Sequence, residues 1–281
     1  SRRGSRFYNT QIITKYSTGA RRAPRRLASV ISRVIEDASR PANRCTIIRC
    51  TIIRHDAGFG MRQFLLVFDL DGTLVDSAPD LRAALNEMLR ERGRAPLSLP
   101  HVRRMIGDGV PALVDRALEA SGEPAGAAGA LPRFLQLYEA EAVRLTRPYP
   151  GVPETLAALR RSGYRTAICT NKPQHATRTV LDGLGLLPLF DGIAGGDRFA
   201  VKKPDAGHLL GLIGELGGRV EAAAMIGDNE NDAAAAHAVG IPLVLMRYGY
   251  ARVDPALLAA DALLDHFAEL PAALDRLGLA P

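Results

Sequence analysis

From residue 64 onward, short apolar runs alternate with stretches whose apolar positions recur every three or four residues. Phe64–Phe68, Thr166–Cys169, Ala222–Ile226 and Pro242–Met246 are near-continuous apolar runs, the pattern of strands covered on both faces. Pro153–Ser162, Gln174–Leu184, Asp205–Leu216 and Asn231–Val239 carry helical spacing. This order predicts an α/β chain with a parallel sheet and helices on both sides. Function in such sheets gathers at the carboxyl ends of the strands. One region breaks the order. Between about Ser77 and Pro150 only helical patterns occur: Asp80–Arg92, Val102–Met105, Pro111–Ala120 and Leu131–Leu145. A small-residue linker, Ala-Gly-Ala-Ala-Gly-Ala at 125–130, separates two of them. The region reads as a helical cap inserted after the first strand, where it would overhang the carboxyl edge as a lid.

Composition adds boundaries. No apolar run approaches the length of a membrane span. Three cysteines make no disulfide framework in a chain of 281 residues, which fits a reducing compartment, and cytoplasmic location is the expectation. The net charge of +6 is an average of two unlike parts. Residues 1–60 carry 13 Lys/Arg against 3 Asp/Glu, whereas residues 61–281 carry 23 against 27. Residues 1–60 are expected to be a basic, largely disordered extension. Three readings stay open for them: upstream sequence with a natural start at Met61, an Arg-rich targeting segment, or an arm that binds nucleic acid or an anionic surface. The arm reading lacks a folded DNA-binding motif, so no nucleic acid is expected as partner. Residues 61–77 with 150–281 then form the sheet core, and 78–149 the cap.

The chemistry-bearing residues sit where strands end. Asp69-Leu70-Asp71-Gly72-Thr73-Leu74-Val75-Asp76-Ser77 follows the first strand at once. Two carboxylates at i and i+2 suit Mg²⁺, and a carboxylate can also attack phosphorus. Thr170-Asn171 follows a second strand and offers a hydroxyl and an amide to a phosphoryl oxygen. Lys202-Lys203-Pro204 comes next, with Lys202 read as a solvated surface lysine. Met225-Ile226-Gly227-Asp228-Asn229-Glu230-Asn231-Asp232 ends a third strand and opens a helix. The six histidines show no metal-ligand spacing, and Cys169 reads as a small buried hydrophobe.

This ordered set resembles the four motifs of the haloacid dehalogenase superfamily, most of whose members are phosphatases. The resemblance spans Asp69 to Asp232 and implies a Rossmann-like core. It implies Asp69 as nucleophile and Asp71 as general acid/base. Thr170, Asn171 and Lys203 would bind the phosphoryl group. Asp69, the Asp71 carbonyl and Asp228 would hold Mg²⁺, with Asp232 and Asn229 in support. Ala206 departs from the Lys-Pro-x-Pro form that phosphatases of this group usually show at the third motif. The absence of lysine between Met61 and Asn171 argues against phosphonoacetaldehyde hydrolase and β-phosphoglucomutase chemistry, which use a lid lysine. Val102 to Leu118 looks like the lid of bacterial phosphoglycolate phosphatases. Arg104 or Arg103, with Gly107, Asp108 and Gly109, would then read a glycolate carboxylate. The expected activity is Mg²⁺-dependent hydrolysis of 2-phosphoglycolate or another small phosphorylated metabolite (a sugar phosphate, nucleotide or pyrophosphate), by a monomer or homodimer. Binding through the basic arm is the reading from a different class.

Overall fold

The computed structural model describes residues 64–281, so the expectations for residues 1–60 lie outside the described residues. Six strands form one parallel sheet: β1 (Leu65–Phe68), β4 (Arg165–Cys169), β5 (Gly192–Ala194), β6 (Ala223–Gly227), β7 (Leu243–Met246) and β8 (Ala262–Leu264). Their spatial order is β5-β4-β1-β6-β7-β8. The chain therefore builds outward from β1 on one side, then crosses to β6 and builds outward on the other. Leu66 of β1 pairs with Thr166 of β4 and with Ala224 of β6. The order reverses at β1, whose carboxyl end is the topological switch point where parallel sheets bind ligands.

The alternation of strand side chains assigns two faces. Leu66, Phe68, Ile168, Ile226 and Val244 point into one core, shared with the helices α5 (Val152–Arg161), α6 (Gln174–Gly183) and α9 (Leu270–Arg276). Leu65, Val67, Ala167, Cys169, Met225 and Leu243 point into the other, against α7 (Ala206–Glu215) and α8 (Glu230–Val239). Both faces are dry, which explains why the strand runs are continuously apolar.

The helical region consists of α1 (Ala78–Glu91), α2 (Leu99–Arg103), α3 (Val110–Ala120) and α4 (Ala130–Ala140). A two-stranded antiparallel ribbon, β2 (Val75–Asp76) with β3 (Arg147–Pro148), brackets it at the base. Asp80 fastens the same base. Its buried carboxylate accepts from the backbone N–H groups of Leu145 and Thr146 and from the Thr146 hydroxyl, at 2.7–3.0 Å. Sequence patterning over-extends α4 to Leu145, whereas the helix ends at Ala140; it also misses β2, β3, β5, β8 and α9. The missed strands have only two or three residues, too few to show a period. No helix among the described residues is long and apolar enough to cross a membrane.

Candidate active site

Asp69 leaves the end of β1 and Asp228 the end of β6, so neighbouring strands deliver two acids to one point. Asp232 joins them from the first turn of α8. One carboxylate oxygen from each of Asp69, Asp228 and Asp232 lies within 4.8 Å of the others, and all three residues are buried. Lys203 supplies the cation: its Nζ is 2.6 Å from Asp232 Oδ1 and 2.9 Å from Asp69 Oδ1. The second contact is an ion pair without hydrogen-bond alignment, and Asp69 Oδ1 is left as a buried oxygen with no hydrogen-bond partner.

Each acid has its own restraint. Asp232 Oδ2 accepts from the N–H groups of Asp228 and Asn229, closing a capping box at the start of α8. Both its oxygens are occupied, so it aims Lys203 and fixes the turn. Asp228 accepts from Thr73 Oγ1 at 3.0 Å, from Asn229 Nδ2 at 3.1 Å and from the Tyr250 N–H at 2.6 Å. Gly249 permits this approach, because a Cβ there would stand 2.2 Å from Asp228 Cβ. Tyr250 also donates its hydroxyl to Asp76 at 2.6 Å. Asn229 caps α8 through its side-chain oxygen, which accepts from Asn231 N–H.

Electrostatics follow from three buried acids facing one lysine. Burial pushes the Asp69 carboxyl from its ordinary 3.8 up to about 6, against the pull of Lys203. Burial and the neighbouring carboxylates raise Asp228 as well. Burial alone would lower Lys203, but the carboxylates of Asp232 and Asp69 reverse the effect and hold it above the usual lysine range. The cluster thus has more negative charge than its lysine balances. An all-oxygen, anionic donor set with an unpartnered oxygen on Asp69 fits a hard divalent cation.

Asp71, Thr170, Asn171 and Lys172 line a cavity of about 30 Å³ beside Asp69. Leu81, Ile106, Val110 and Leu113 of the helical layer form its opposite, apolar wall. Thr170 is buried at the end of β4. The Asn171 side chain is engaged elsewhere than on a ligand. Its Nδ2 donates to the carbonyls of Gly107 and Lys203, at 2.9 and 2.8 Å, and so ties the helical layer to the core. Its backbone N–H makes no hydrogen bond among the described residues.

The residues expected in the lid divide. Gly107 and Gly109 line the cavity, and Gly109 sits at φ +89° where a Cβ would press to 3.0 Å on the Asn171 carbonyl. Asp108 does not line it. Its carboxylate accepts from Arg116, from Asn231 at 2.7 Å and from Arg252 at 2.5 Å. Arg104 is exposed at the end of α2 and stands outside the cavity lining, while Arg103 pairs with Asp76 at 2.7 Å. The helix ends one residue before Arg104 and turns it outward. Lys202 is not a freely solvated lysine, because its Nζ donates to the Asp108 carbonyl at 2.7 Å.

Sequence reasoning missed several groups. Lys172 is buried, with Nζ 3.2–3.3 Å from the Asp71 carboxylate and 4.7 Å from the centre of the Tyr138 ring. His208 is buried behind the lysine loop. Its Nδ1 accepts from Lys203 N–H, so its Nε2–H donates to the Gly195 carbonyl. Burial and the nearby Lys203 lower it to about 4, which keeps it neutral. Cys169 is buried, and burial pushes its thiol up to about 12. It is inert packing, as its apolar strand indicated.

The haloacid dehalogenase-like hydrolase family model matches residues 65–240. The chain belongs to this family. Its haloacid dehalogenase-like relatives include a phosphoglycolate phosphatase of Cereibacter sphaeroides, 44% identical over 215 residues, covering 75% of this chain and 98% of the relative. A phosphoglycolate phosphatase of Caulobacter vibrioides is 39% identical, covering 74% and 89%. Among solved structures, a predicted phosphoglycolate phosphatase from Haemophilus somnus has a TM-score of 0.72 and 31% identity, covering 76% of this chain and 98% of that one. CbbY from Rhodobacter sphaeroides, solved in complex with phosphate, has a TM-score of 0.65 and 27% identity, covering 76% and 99%.

Proposed function

We propose that this haloacid dehalogenase-like hydrolase is a Mg²⁺-dependent phosphomonoesterase whose substrate is 2-phosphoglycolate. The observation that carries the reaction class is the buried Asp69–Lys203–Asp232–Asp228 cluster at the switch point of the sheet. The substrate rests on the relatives named phosphoglycolate phosphatase.

Asp69 is the nucleophile. It attacks phosphorus, the ester oxygen leaves, and an aspartyl-phosphate remains. Asp71, across the cavity, protonates the leaving oxygen and then takes a proton from the water that hydrolyses the intermediate. Lys203, the Thr170 hydroxyl and the free backbone N–H of Asn171 balance charge on the phosphoryl oxygens. Asp69, the Asp71 carbonyl and Asp228 would hold Mg²⁺. When bound, the ion would neutralise the excess carboxylate charge and the phosphoryl oxygens. Asp232 keeps Lys203 aimed at Asp69. We read residues 78–149 as a cap over residues 61–77 and 150–281. Asp69 is only 5% exposed beneath it, so entry of a substrate requires the two to part. We read the reaction as cytoplasmic, a reading that the small number of cysteines supports.

The test is phosphate release from a panel of phosphomonoesters, with Mg²⁺ and with EDTA, by the chain and by Asp69→Asn. Mg²⁺-dependent release that is strongest on 2-phosphoglycolate, and absent from the variant, is expected. A different best substrate would leave the chemistry and remove the substrate. No Mg²⁺-dependent release would remove both.

A further inference from the structure

Lys172 is a buried cation that the reaction above does not use. Its backbone is held firmly just past the end of β4. Its N–H donates to Thr170 Oγ1 at 3.3 Å, and its carbonyl accepts from Gly196 N–H at 2.9 Å and from Thr177 Oγ1 at 3.4 Å. The side chain crosses the face of Tyr138, which is itself stacked on Phe134 with ring centres 5.8 Å apart. The ammonium is thereby delivered to the cavity wall. Its two contacts to Asp71 are longer than the 2.7–2.9 Å of a strong charge-assisted bond. Burial would lower its pKa, but Asp71 and Tyr138 more than offset this, so it stays charged.

The rest of the cavity defines what such a cation can meet. Lys203, the other cation near Asp69, is already engaged by two carboxylates. The wall contributed by the helical layer is apolar, and Arg104 is outside it. Lys172 is the only cationic side chain among the lining residues. An anionic group carried on the alcohol side of the ester would otherwise be buried beside Asp69 and Asp71 with no counter-charge, at a prohibitive desolvation cost. We propose that Lys172 is the specificity-determining residue that pairs with a carboxylate on the leaving group, selecting a phosphorylated short hydroxy acid over phosphate esters whose alcohol part is uncharged.

This inference rests on the proposed phosphatase reading, and one experiment separates the two. The ratio of kcat/KM for 2-phosphoglycolate to that for ethyl phosphate, in which a methyl group replaces the carboxylate, is measured for the full chain and for Lys172→Met and Lys172→Arg. A full chain with no preference for 2-phosphoglycolate would refute the substrate reading itself. Given that preference, Lys172→Met is expected to lower the ratio at least tenfold and Lys172→Arg to retain most of it. An equal fall for both substrates would overturn the inference, because Lys172 would then only hold Asp71 in place. Titration of 2-phosphoglycolate and ethyl phosphate into Asp69→Asn and Asp69→Asn/Lys172→Met, each checked for an intact thermal transition, gives the same comparison without turnover. Loss of selective binding in the double variant supports the pairing. Unchanged selectivity overturns it.

Discussion

Asp108 offers a measure of how tightly the helical layer is held on the sheet. It lies in the loop before α3, and its carboxylate accepts from two core residues, Asn231 at 2.7 Å and Arg252 at 2.5 Å. Arg116 belongs to its own layer, so that bond does not cross the gap. Asp108→Ala removes both crossing bonds but leaves the Lys202 bond to the Asp108 backbone carbonyl. Buried hydrogen bonds to charged groups contribute about 1.5–3 kcal/mol and exposed ion pairs about 0.2–1 kcal/mol. The Asp108 side chain is 25% exposed, which places each crossing bond near about 1 kcal/mol. Losing two weakens closure by about 2 kcal/mol, or roughly 30-fold in the ratio of closed to open.

Because only the closed arrangement surrounds the substrate, that shift enters KM. For a wild type that favours closure by no more than about six to one, the expected increase is about 5- to 30-fold. Asp108→Asn keeps an acceptor for Asn231 and should fall between. The Arg252 pair is screened by salt. Wild-type KM should therefore rise with NaCl more steeply than the KM of Asp108→Ala. The assay is steady-state kinetics on 2-phosphoglycolate from about 0.02 to 0.5 M NaCl, with circular dichroism to verify folding. A KM within twofold of wild type, together with an unchanged salt slope, would refute the latch.

Further outcomes are expected elsewhere. Asp69→Asn should lower kcat roughly 10³-fold or more while leaving the fold intact, measured by single-turnover phosphate release. In EDTA, the contribution of Asp69 to stability should be fully present below about pH 4 and be lost as pH rises through about 6, because the native carboxyl keeps a proton that the unfolded chain has released. Urea midpoints from pH 4 to 7 should show a flatter decline in Asp69→Asn, and equal slopes would count against the raised carboxyl. Gly249→Ala would push a methyl into Asp228, so the Mg²⁺ concentration for half-maximal activity should rise roughly tenfold or more and the thermal midpoint should fall, overpacking costing about 1–3 kcal/mol. Asp80→Ala removes the acceptor of the buried Thr146 N–H and of the half-buried Leu145 N–H, while the Thr146 hydroxyl keeps the Ala142 carbonyl; it should cost about 2–4 kcal/mol in urea unfolding, whereas a loss under about 1 kcal/mol would show that water replaces the carboxylate.

The parts of the site visible in the sequence are those that the backbone delivers locally. Asp69, Thr170 and Asp228 each follow an apolar run, and a parallel sheet brings the ends of such runs to one edge whatever lies between them. The missing parts depend on contacts that no local pattern encodes. Lys172 meets Asp71 across 101 residues of chain and Tyr138 across the inserted helices, so its sequence context, just beyond an Asn, resembles a turn. Arg104 and Arg103 are adjacent, and a single residue of helix phase decides which reaches Asp76 and which faces water. Asn171 was legible as a residue at the right strand end, yet its side chain serves the carbonyls of two other segments. On the proposed reading, the strand ends carry the reaction, and Lys172, just past β4 and held against Tyr138 of the helical layer, ranks the substrates. Substitutions at Asp69 or Asp228 should alter turnover of every ester alike, while those at Lys172 should change the ranking of esters.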